Sequence, residues 1–415
     1  ESDPRARRAA TVARVSAARK AGNAALEAAF RDRPSAARAF VAAQARLTDG
    51  LVRTALEVAI TYLHPLPNPT AAERLAVLAV GGYGRAEMAP HSDVDLLFLT
   101  PWKVTPWAES VIESTLYILW DLRLKVGHAS RTVGDCLRLA REDITIRTAL
   151  LEHRLLFGDP DTAAELRERL WSELFSRTGA QFIDAKLAER AERHRRQGGQ
   201  RYVLEPNVKE GKGGLRDLQT LYWIAKYLHR VDRAAELVDL GVFSAAEYAA
   251  FARAEDFLWA VRCHMHHIAG RNVDQLTFDM QVEVAERMGY ADHGGRRAVE
   301  HFMQAYFRHA TRVGELTRIF LTALETAHAK RVPSLVGLIR RRKRVRPGFR
   351  VAQGRLTVEN PDAFLLDPLN LLRLFEEALR TGLLLHPDAM RLLAANLHRI
   401  DRSVQEDREA NRIFL

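Results

Sequence analysis

The segment VLAVGGYGRAEMAPHSDVDLLFLT (77–100) constrains the fold of this chain more than any other part of the sequence. Two short apolar runs, 75–80 and 94–100, are separated by a glycine-rich stretch and a proline. This pattern predicts two short strands joined by a tight connection. Residues 107–123 then return to helical spacing, and 124–132 can supply a third strand. We therefore predict a small α/β unit over 66–132.

Most of the remaining chain has apolar residues at steps of three and four, which is typical of amphipathic helices. The predicted helices cover 5–63, 135–157, 161–197, 217–230, 244–269, 279–289 and 296–328. A basic run, RRRKRVR (340–346), is followed by a hairpin at 349–358 and by helices around 368–381 and 387–403. The fold class predicted from these patterns is α+β with a large helical share.

Composition narrows the classes of protein that remain. A length of 415 residues is enough for two or three domains, and 47% hydrophobic with 27% charged residues is typical of a folded protein. No window approaches the ~18–20 apolar residues of a membrane span, and the N-terminus does not read as a secretory signal. Two cysteines cannot build a disulfide framework, so we expect a reducing cytoplasm. The net charge of +10 favours nucleotides or nucleic acid only weakly.

The acidic pair Asp93 and Asp95 carries the strongest chemical signal. Residues two apart on a strand project from the same face, so their carboxylates repel each other unless a cation lies between them. Ligand sets made only of oxygen favour Mg²⁺ or Mn²⁺. The pair therefore predicts a divalent metal site.

Upstream of the pair, Gly81, Gly82 and Gly84 leave the backbone uncovered, so that its N–H groups can approach a triphosphate. Arg85 can add a charge-assisted contact, and Ser92 can bond a phosphate. Metal-binding carboxylates opposite a phosphate cradle are what two-metal nucleotidyl transfer needs, in which one metal activates the attacking oxygen and the other steadies the pyrophosphate leaving group. The plainer alternative is a tight GG turn followed by solvated acids at the entrance of a strand.

The segment 77–100 resembles the signature of the polymerase-β-like nucleotidyltransferases, and in particular that of the bacterial PII uridylyltransferase/uridylyl-removing enzymes. Ala86 stands where that family usually has glycine. The likeness continues in the same order along the chain from about residue 45. It is carried by 204–226, 257–290, 299–320, 349–378 and 407–415.

The resemblance implies a small polymerase-β-like nucleotidyltransferase core embedded in a mostly helical protein. It divides the chain into an N-terminal helical segment (1–65), the core (66–160), a helical substrate domain (161–332) and a final part (333–415). That final part contains the basic linker, the hairpin and the helices that precede an HD domain in this family.

The resemblance also implies transfer of UMP from UTP to a tyrosine of the signalling protein PII, with release of pyrophosphate and with Mg²⁺ or Mn²⁺ as cofactor. Family members remove UMP through a metal-dependent HD domain. No HD dipeptide with metal-type histidine spacing occurs here, so we expect the removing activity to be absent. We expect PII and UTP as partners, and neither a membrane nor a nucleic acid.

Two further parts of the predicted site are a third carboxylate and a basic glycine loop. Polymerase-β-like enzymes often carry a third carboxylate on the strand at 124–132, which has no acid here. Glu152 is our first candidate for this metal ligand because it lies among apolar residues, and Asp143 and Asp217 follow. Each of the three acids is alternatively a helix cap or a surface charge.

The segment PNVKEGKGGLRDLQ (206–219) combines Lys209, Lys212 and Arg216 with three glycines, ahead of a helix that starts near Asp217. A glycine loop that opens onto a helix N-terminus can bind an anion. The same pattern also describes a flexible loop with an ordinary cap. The resemblance favours contact with the UTP phosphates or with PII.

Other functions remain compatible with these residues. A glutamine synthetase adenylyltransferase or an RNA-tailing enzyme would keep the chemistry and change the acceptor, and the positive charge suits RNA. A non-catalytic nucleotide-sensing module is a third class, against which the intact acids and Gly81–Gly82 argue. The segment EGKGGLRD favours PII over RNA.

Overall fold

The computed structural model describes residues 4–200, 202–329, 345–352 and 354–414. It consists of two compact units, residues 1–313 and 314–415. None of the helices in these described ranges is long and apolar enough to cross a membrane. The mostly helical α+β class predicted from the sequence is confirmed.

The first unit begins with two long helices and continues with a small mixed α/β part. Its elements are α1 (Pro4–Asp32), α2 (Ala37–Val58), β1 (Ala76–Ala79), α3 (Gly81–Gly84), β2 (Val94–Thr100), α4 (Pro106–Asp121), β3 (Val126–Thr132), α5 (Val133–Glu142), α6 (Ile144–Leu151) and β4 (Arg154–Gly158). The predicted strands at 75–80, 94–100 and 124–132 are confirmed. The glycine turn between the first two strands forms the short helix α3.

The rest of the first unit is helical. Its elements are α7 (Pro160–Arg169), α8 (Gly179–Arg196), α9 (Leu215–His229), α10 (Glu236–Asp239), α11 (Ala245–Ala269), α12 (Phe278–Arg287) and the first part of α13 (Ala298–Ala329). The predicted single helix over 161–197 is wrong in its middle, where Leu170–Leu174 and Phe175–Arg177 adopt π and 3-10 turns.

The strands form one four-stranded sheet in the order β3-β2-β1-β4. β2 and β3 are parallel and are joined through α4, whereas β1 is antiparallel to both of its neighbours, β2 and β4. Val94, Leu96 and Phe98 project from one face of β2 into a core shared with residues of α2 and α4. Alternation along β2 therefore leaves its odd-numbered residues on the opposite face.

The prediction of one helix over 135–157 is wrong at Asp143, which separates α5 from α6, and at its C-terminal end. The chain turns at His153, and Arg154–Gly158 pairs as β4 with β1. Leu156 is buried in the same core as Val77. A short apolar run has no periodicity that distinguishes a strand from a helix. Here residues 154–158 form a strand because they pair with the edge of β1 that β2 leaves open.

The second unit contains the predicted hairpin and further helices. Its elements are β5 (Phe349–Ala352), β6 (Arg355–Val358), α14 (Pro361–Phe364), α15 (Asn370–Thr381), α16 (Pro387–Asn396), α17 (Arg402–Glu406) and α18 (Arg408–Phe414). β5 and β6 are antiparallel, and Leu356, Leu371 and Leu374 share one core. Residues 340–344 of the predicted basic run lie outside the described residues.

Candidate active site

The acidic pair lies where β2 begins. Asp95 is the second residue of the strand, and Asp93 immediately precedes it. Because Val94 between them projects into the core, both carboxylates belong to the other face of the sheet. Asp93 is exposed and Asp95 is partly buried. Burial and, after it, repulsion from the Asp93 carboxylate raise the pKa of Asp95, so the two charges lie close together.

Two glycines line the Asp95 carboxylate. A Cβ at Gly127, the residue paired with Asp95 across the parallel strands, would lie 2.6 Å from its Oδ1. A Cβ at Gly81 would lie 3.6 Å from Oδ2, and Gly81 has a φ of 60°, a conformation that favours glycine. The backbone of α3 and of β3 therefore approaches the carboxylate from two sides. Gly127 was not singled out from the sequence, although a glycine inside a predicted strand is a signal of close approach.

Lys209 joins this site from a distant part of the chain. Its ammonium lies close enough to Asp95 to oppose the rise of the Asp95 pKa. The same ammonium lies 3.9 Å from Oδ2 of Asp274. Burial and the guanidinium of Arg262 lower the pKa of Lys209, and Asp274 opposes that change. The structure thus brings one predicted phosphate-binding lysine to the predicted metal carboxylates.

Lys209 has supporting residues that sequence reasoning missed. Arg262 Nε donates to Asp274 Oδ1 at 2.7 Å, and His266 Nε2 lies 3.5 Å from the same oxygen. Burial alone would raise the pKa of Asp274, but His266 and Arg262 outweigh it and the pKa lies below its usual value. Arg262 and His266 are one helical turn apart on α11, which is the only local sign that both serve one acid.

Arg85 and Glu152 lie together in a buried ion pair. Arg85 Nη1 donates to Glu152 Oε2 at 2.5 Å, and its Nε donates to Glu87 at 2.7 Å. The Glu152 side chain is fully buried, and its Oε1 has no hydrogen-bond partner among the described residues. Gly84 packs against the same place, since a Cβ there would lie 1.9 Å from the Glu152 carbonyl oxygen. The phosphate contact proposed for Arg85 and the metal contact proposed for Glu152 stay predictions.

The other candidates for a third carboxylate are also engaged. Asp143 caps α6 by accepting the N–H groups of Thr145 and Ile146. Asp217 accepts hydrogen bonds from the Gly213 N–H and from Arg190 and His194 of α8. Among the described residues, no group of three or more His, Cys, Asp or Glu side chains is arranged to hold a metal ion.

The remaining predicted phosphate contacts lie in defined local structures. Ser92 Oγ accepts the Ala89 N–H at 3.0 Å in the loop that leads to Asp93. Lys212 donates to the Gly199 carbonyl at 3.3 Å. Arg216 donates to Glu210 at 3.2 Å and lies over the Trp223 ring at 5.3 Å. The structure therefore relates Lys209 to the acidic pair and gives Lys212 and Arg216 other partners.

The loop that carries Lys209 is held from both sides. Asn207 Oδ1 accepts the N–H groups of Lys209 and Glu210 at 3.1 and 2.7 Å. Gly213, at φ 84°, approaches α13 so closely that a Cβ would lie 2.2 Å from the Ala310 carbonyl oxygen. Only glycine fits there, so close packing rather than flexibility explains this residue.

Asp217 anchors the same loop from the first turn of α9, which starts two residues earlier than predicted. Its buried carboxylate accepts from the Gly213 N–H at 2.9 Å, from Arg190 at 3.2 Å and from His194 at 2.9 Å, and it also pairs with Arg193. Burial opposes ionisation, but these donors prevail and lower the pKa of Asp217 to about 2.

Comparison with known proteins gives concordant matches. Residues 181–321 match the family model GlnD PII-uridylyltransferase, and residues 349–415 match the model for the third domain of uridylyltransferase GlnD. Similar curated proteins are each named bifunctional uridylyltransferase/uridylyl-removing enzyme. The chain is 69% identical over 413 residues to the one from Cereibacter sphaeroides and 63% identical over 413 residues to that from Ruegeria pomeroyi. It is 50% identical over 409 residues to the one from Novosphingobium aromaticivorans.

These alignments cover 98–100% of the chain and 44–45% of each relative, so the chain spans less than half the length of the curated relatives it matches. The acidic pair lies outside both family-model matches and inside the alignments with the first two relatives, which cover 100% of the chain.

Proposed function

Because the chain belongs to the GlnD PII-uridylyltransferase family, we propose that it transfers UMP from UTP to a tyrosine hydroxyl of the signalling protein PII. The observation that carries the proposal is the acidic pair Asp93 and Asp95, with a raised Asp95 pKa, beside Lys209. Two close carboxylates at the start of β2, with one cation beside them, fit a site for a metal-bound triphosphate.

Asp93 and Asp95 are the residues that would hold Mg²⁺ or Mn²⁺. They fit a divalent cation because both donors are carboxylate oxygens and because their mutual repulsion would be relieved by positive charge. The bound cation would neutralise phosphate charge and increase the acidity of the attacking hydroxyl. Gly127 supports the site by leaving room for the Asp95 carboxylate in one position.

Lys209 would bind the triphosphate. The Lys209 side chain is 28% exposed, and among the described residues the ion pair of its ammonium is a long contact of 3.9 Å to Asp274. A phosphate oxygen can therefore add a charge-assisted hydrogen bond without displacing a close partner. Arg262 and His266 hold Asp274 and thereby position the lysine.

The transfer itself requires in-line geometry. The tyrosine oxygen attacks the α-phosphorus, a new oxygen–phosphorus bond forms, and the bond to the β-phosphate bridging oxygen breaks. Pyrophosphate leaves with that electron pair, and the hydroxyl proton is lost to solvent or to a base. The residues named above bind and orient the triphosphate for this step.

The experiment that tests the proposal uses UTP, ATP and CTP labelled at the α-phosphate, each offered with PII, with glutamine synthetase and with RNA. We expect label to pass only from UTP and only to PII, and to require a divalent cation. Asp95→Asn should reduce the transfer at least ~100-fold, because one charge of the pair is lost.

Label on RNA or on glutamine synthetase would show that the acceptor is wrong while the nucleotidyl chemistry is right. Binding of nucleotide with no transfer to any acceptor would favour the nucleotide-sensing alternative. Full transfer by Asp95→Asn would contradict the role of the acidic pair itself.

A further inference from the structure

A cavity of ≈ 140 Å³ lies on the face of β2 that is opposite to the acidic pair. Val94 and Leu51, which belong to the core on that face, line its inner wall. Asp93 and Asp95 project the other way because side chains alternate along a strand. The cavity is therefore distinct from the candidate active site, although Ser92 lines it and directly precedes Asp93.

Four cationic side chains from separate parts of the chain line this cavity. Arg19 reaches it from α1, Arg123 and Lys125 from the α4–β3 connection, and Arg271 from the segment after α11. None of the described residues that line the cavity is an aspartate or a glutamate. In the described ranges these four cations form no ion pair with a carboxylate, unlike Arg85 or Arg154 in the same unit.

The side chain of Arg19 is held in place by a hydrogen bond, and the backbone of Arg123 is fixed in a tight turn. Arg19 Nη1 donates to the Leu122 carbonyl at 2.7 Å, and burial lowers the pKa of Arg19 without an acid to offset it. Arg123 has a φ of 59°, and its N–H donates to the Trp120 carbonyl at 2.8 Å. This left-handed conformation normally favours glycine and is unfavourable for an arginine. The sequence thus places a charged residue in a strained turn beside the cavity.

We propose that this cavity binds a phosphate-class oxyanion in a site separate from the acidic pair. The cavity of ≈ 140 Å³ is several times larger than the space that one water molecule needs, so it has room for a tetrahedral oxyanion. Four cations that have no carboxylate partner in the described part of the chain favour a group with two or more negative charges. The group is either free phosphate or the terminal phosphate of a larger molecule that extends into solvent. The proposal does not depend on the proposed transferase activity.

The first experiment is calorimetric titration of the purified chain with inorganic phosphate, in the presence of EDTA so that no divalent cation occupies the acidic pair. We expect one binding site per chain. The double variant K125A/R271A should weaken the affinity at least ~10-fold, because it removes two of the four cations that line the cavity. Both side chains belong to exposed residues, so the variant should keep the thermal midpoint of the parent.

The matched control is R74A/K103A. It also removes one arginine and one lysine, both exposed, at the opposite end of β1 and β2. Phosphate affinity of this control should stay within twofold of the parent, which separates a built site from general attraction by net charge. Loss of affinity in both double variants would mean an adventitious ion only and would overturn the proposal.

The second experiment identifies the source of the group and separates the cavity from the active site. UTP is titrated in parallel, together with Lys209→Ala. We expect Lys209→Ala to leave phosphate affinity unchanged. Binding of UTP alone, weakened by K125A/R271A, would place the terminal phosphate of a nucleotide in the cavity. No phosphate-class binding, or binding abolished by Lys209→Ala and unaffected by K125A/R271A, would refute the proposal.

Discussion

The substitution Gly127→Ala adds one carbon atom beside the Asp95 carboxylate of the candidate site. The added Cβ would lie 2.6 Å from Asp95 Oδ1, whereas ordinary contact begins at 3.4 Å. The carboxylate oxygen must therefore move by about 0.8 Å, or turn away, because the strand pairing of Asp95 with Gly127 fixes both backbones. No charge is removed and no other residue is altered.

The expected loss is in the rate of transfer. A misplacement of ~1 Å can cost roughly 10²-fold in rate, which corresponds to about 2.7 kcal/mol of activation free energy. The cost in unfolding free energy should stay below ~1 kcal/mol. Asp95 is only partly buried and can rotate, and alanine is favoured over glycine inside a strand by roughly 0.5–1 kcal/mol.

The assay measures kcat and KM for UTP in label transfer to PII, together with urea unfolding of each variant. Gly134→Ala is the matched control, since a Cβ there meets its nearest atom, Thr132 Oγ1, at an ordinary 3.8 Å. It should retain full activity. Gly127→Ala with kcat within twofold of the parent at equal stability would refute the reasoning that the position of Asp95 determines the rate.

Other outcomes follow from the same contacts. Lys209→Ala should raise KM for UTP at least ~10-fold through the loss of one charge-assisted contact, while Lys212→Ala, whose ammonium contacts the Gly199 carbonyl, should change it less than twofold; equal effects would argue against a special role for Lys209. Ala86 has a φ of 58°, so Ala86→Gly should raise the free energy of unfolding by about 0.5–1 kcal/mol, whereas Ala164→Gly within α7 should lower it by about 1 kcal/mol, both read from urea midpoints. Asp217→Asn should cost about 3–5 kcal/mol in urea unfolding, because it leaves buried cations without their acid. The pKa of Asp217 is depressed to about 2, so the stability that its carboxylate contributes is present above the unfolded-state pKa of ~3.9 and is lost as the pH falls through the folded value. The difference in unfolding free energy between parent and variant should therefore shrink between pH 4 and pH 2. A constant difference would contradict the ion pairing.

The local elements of the first unit followed closely from the sequence. β2 occupies Val94–Thr100, the apolar run that predicted it, because alternation and flanking turn residues act within a few positions. β4 was missed because its apolar run follows helical spacing without a break that the sequence shows. Its identity as a strand depends on pairing with β1, far away in sequence.

The candidate site divides in the same way. Asp93, Asp95, Gly81 and Gly82 were found together because they lie in one segment around the β1–β2 connection. Glu152 was proposed as a metal ligand from its apolar neighbours. In the structure it forms an ion pair with Arg85, and its contact with a metal stays a prediction. Apolar surroundings indicate that a carboxylate is buried, but they do not indicate which charge compensates it.

The sequence by itself determined the fold class, the acidic pair and the family, since these depend on residue types at short spacings and on their order along the chain. The tertiary structure decided that Lys209 rather than Lys212 or Arg216 approaches Asp95, that Gly127 limits where the carboxylate can lie, and that four cations surround one cavity behind β2. The physical reason is that strand and helix periodicity act over a few residues. Charge pairing and close packing depend instead on distances between elements that only the folded chain brings together.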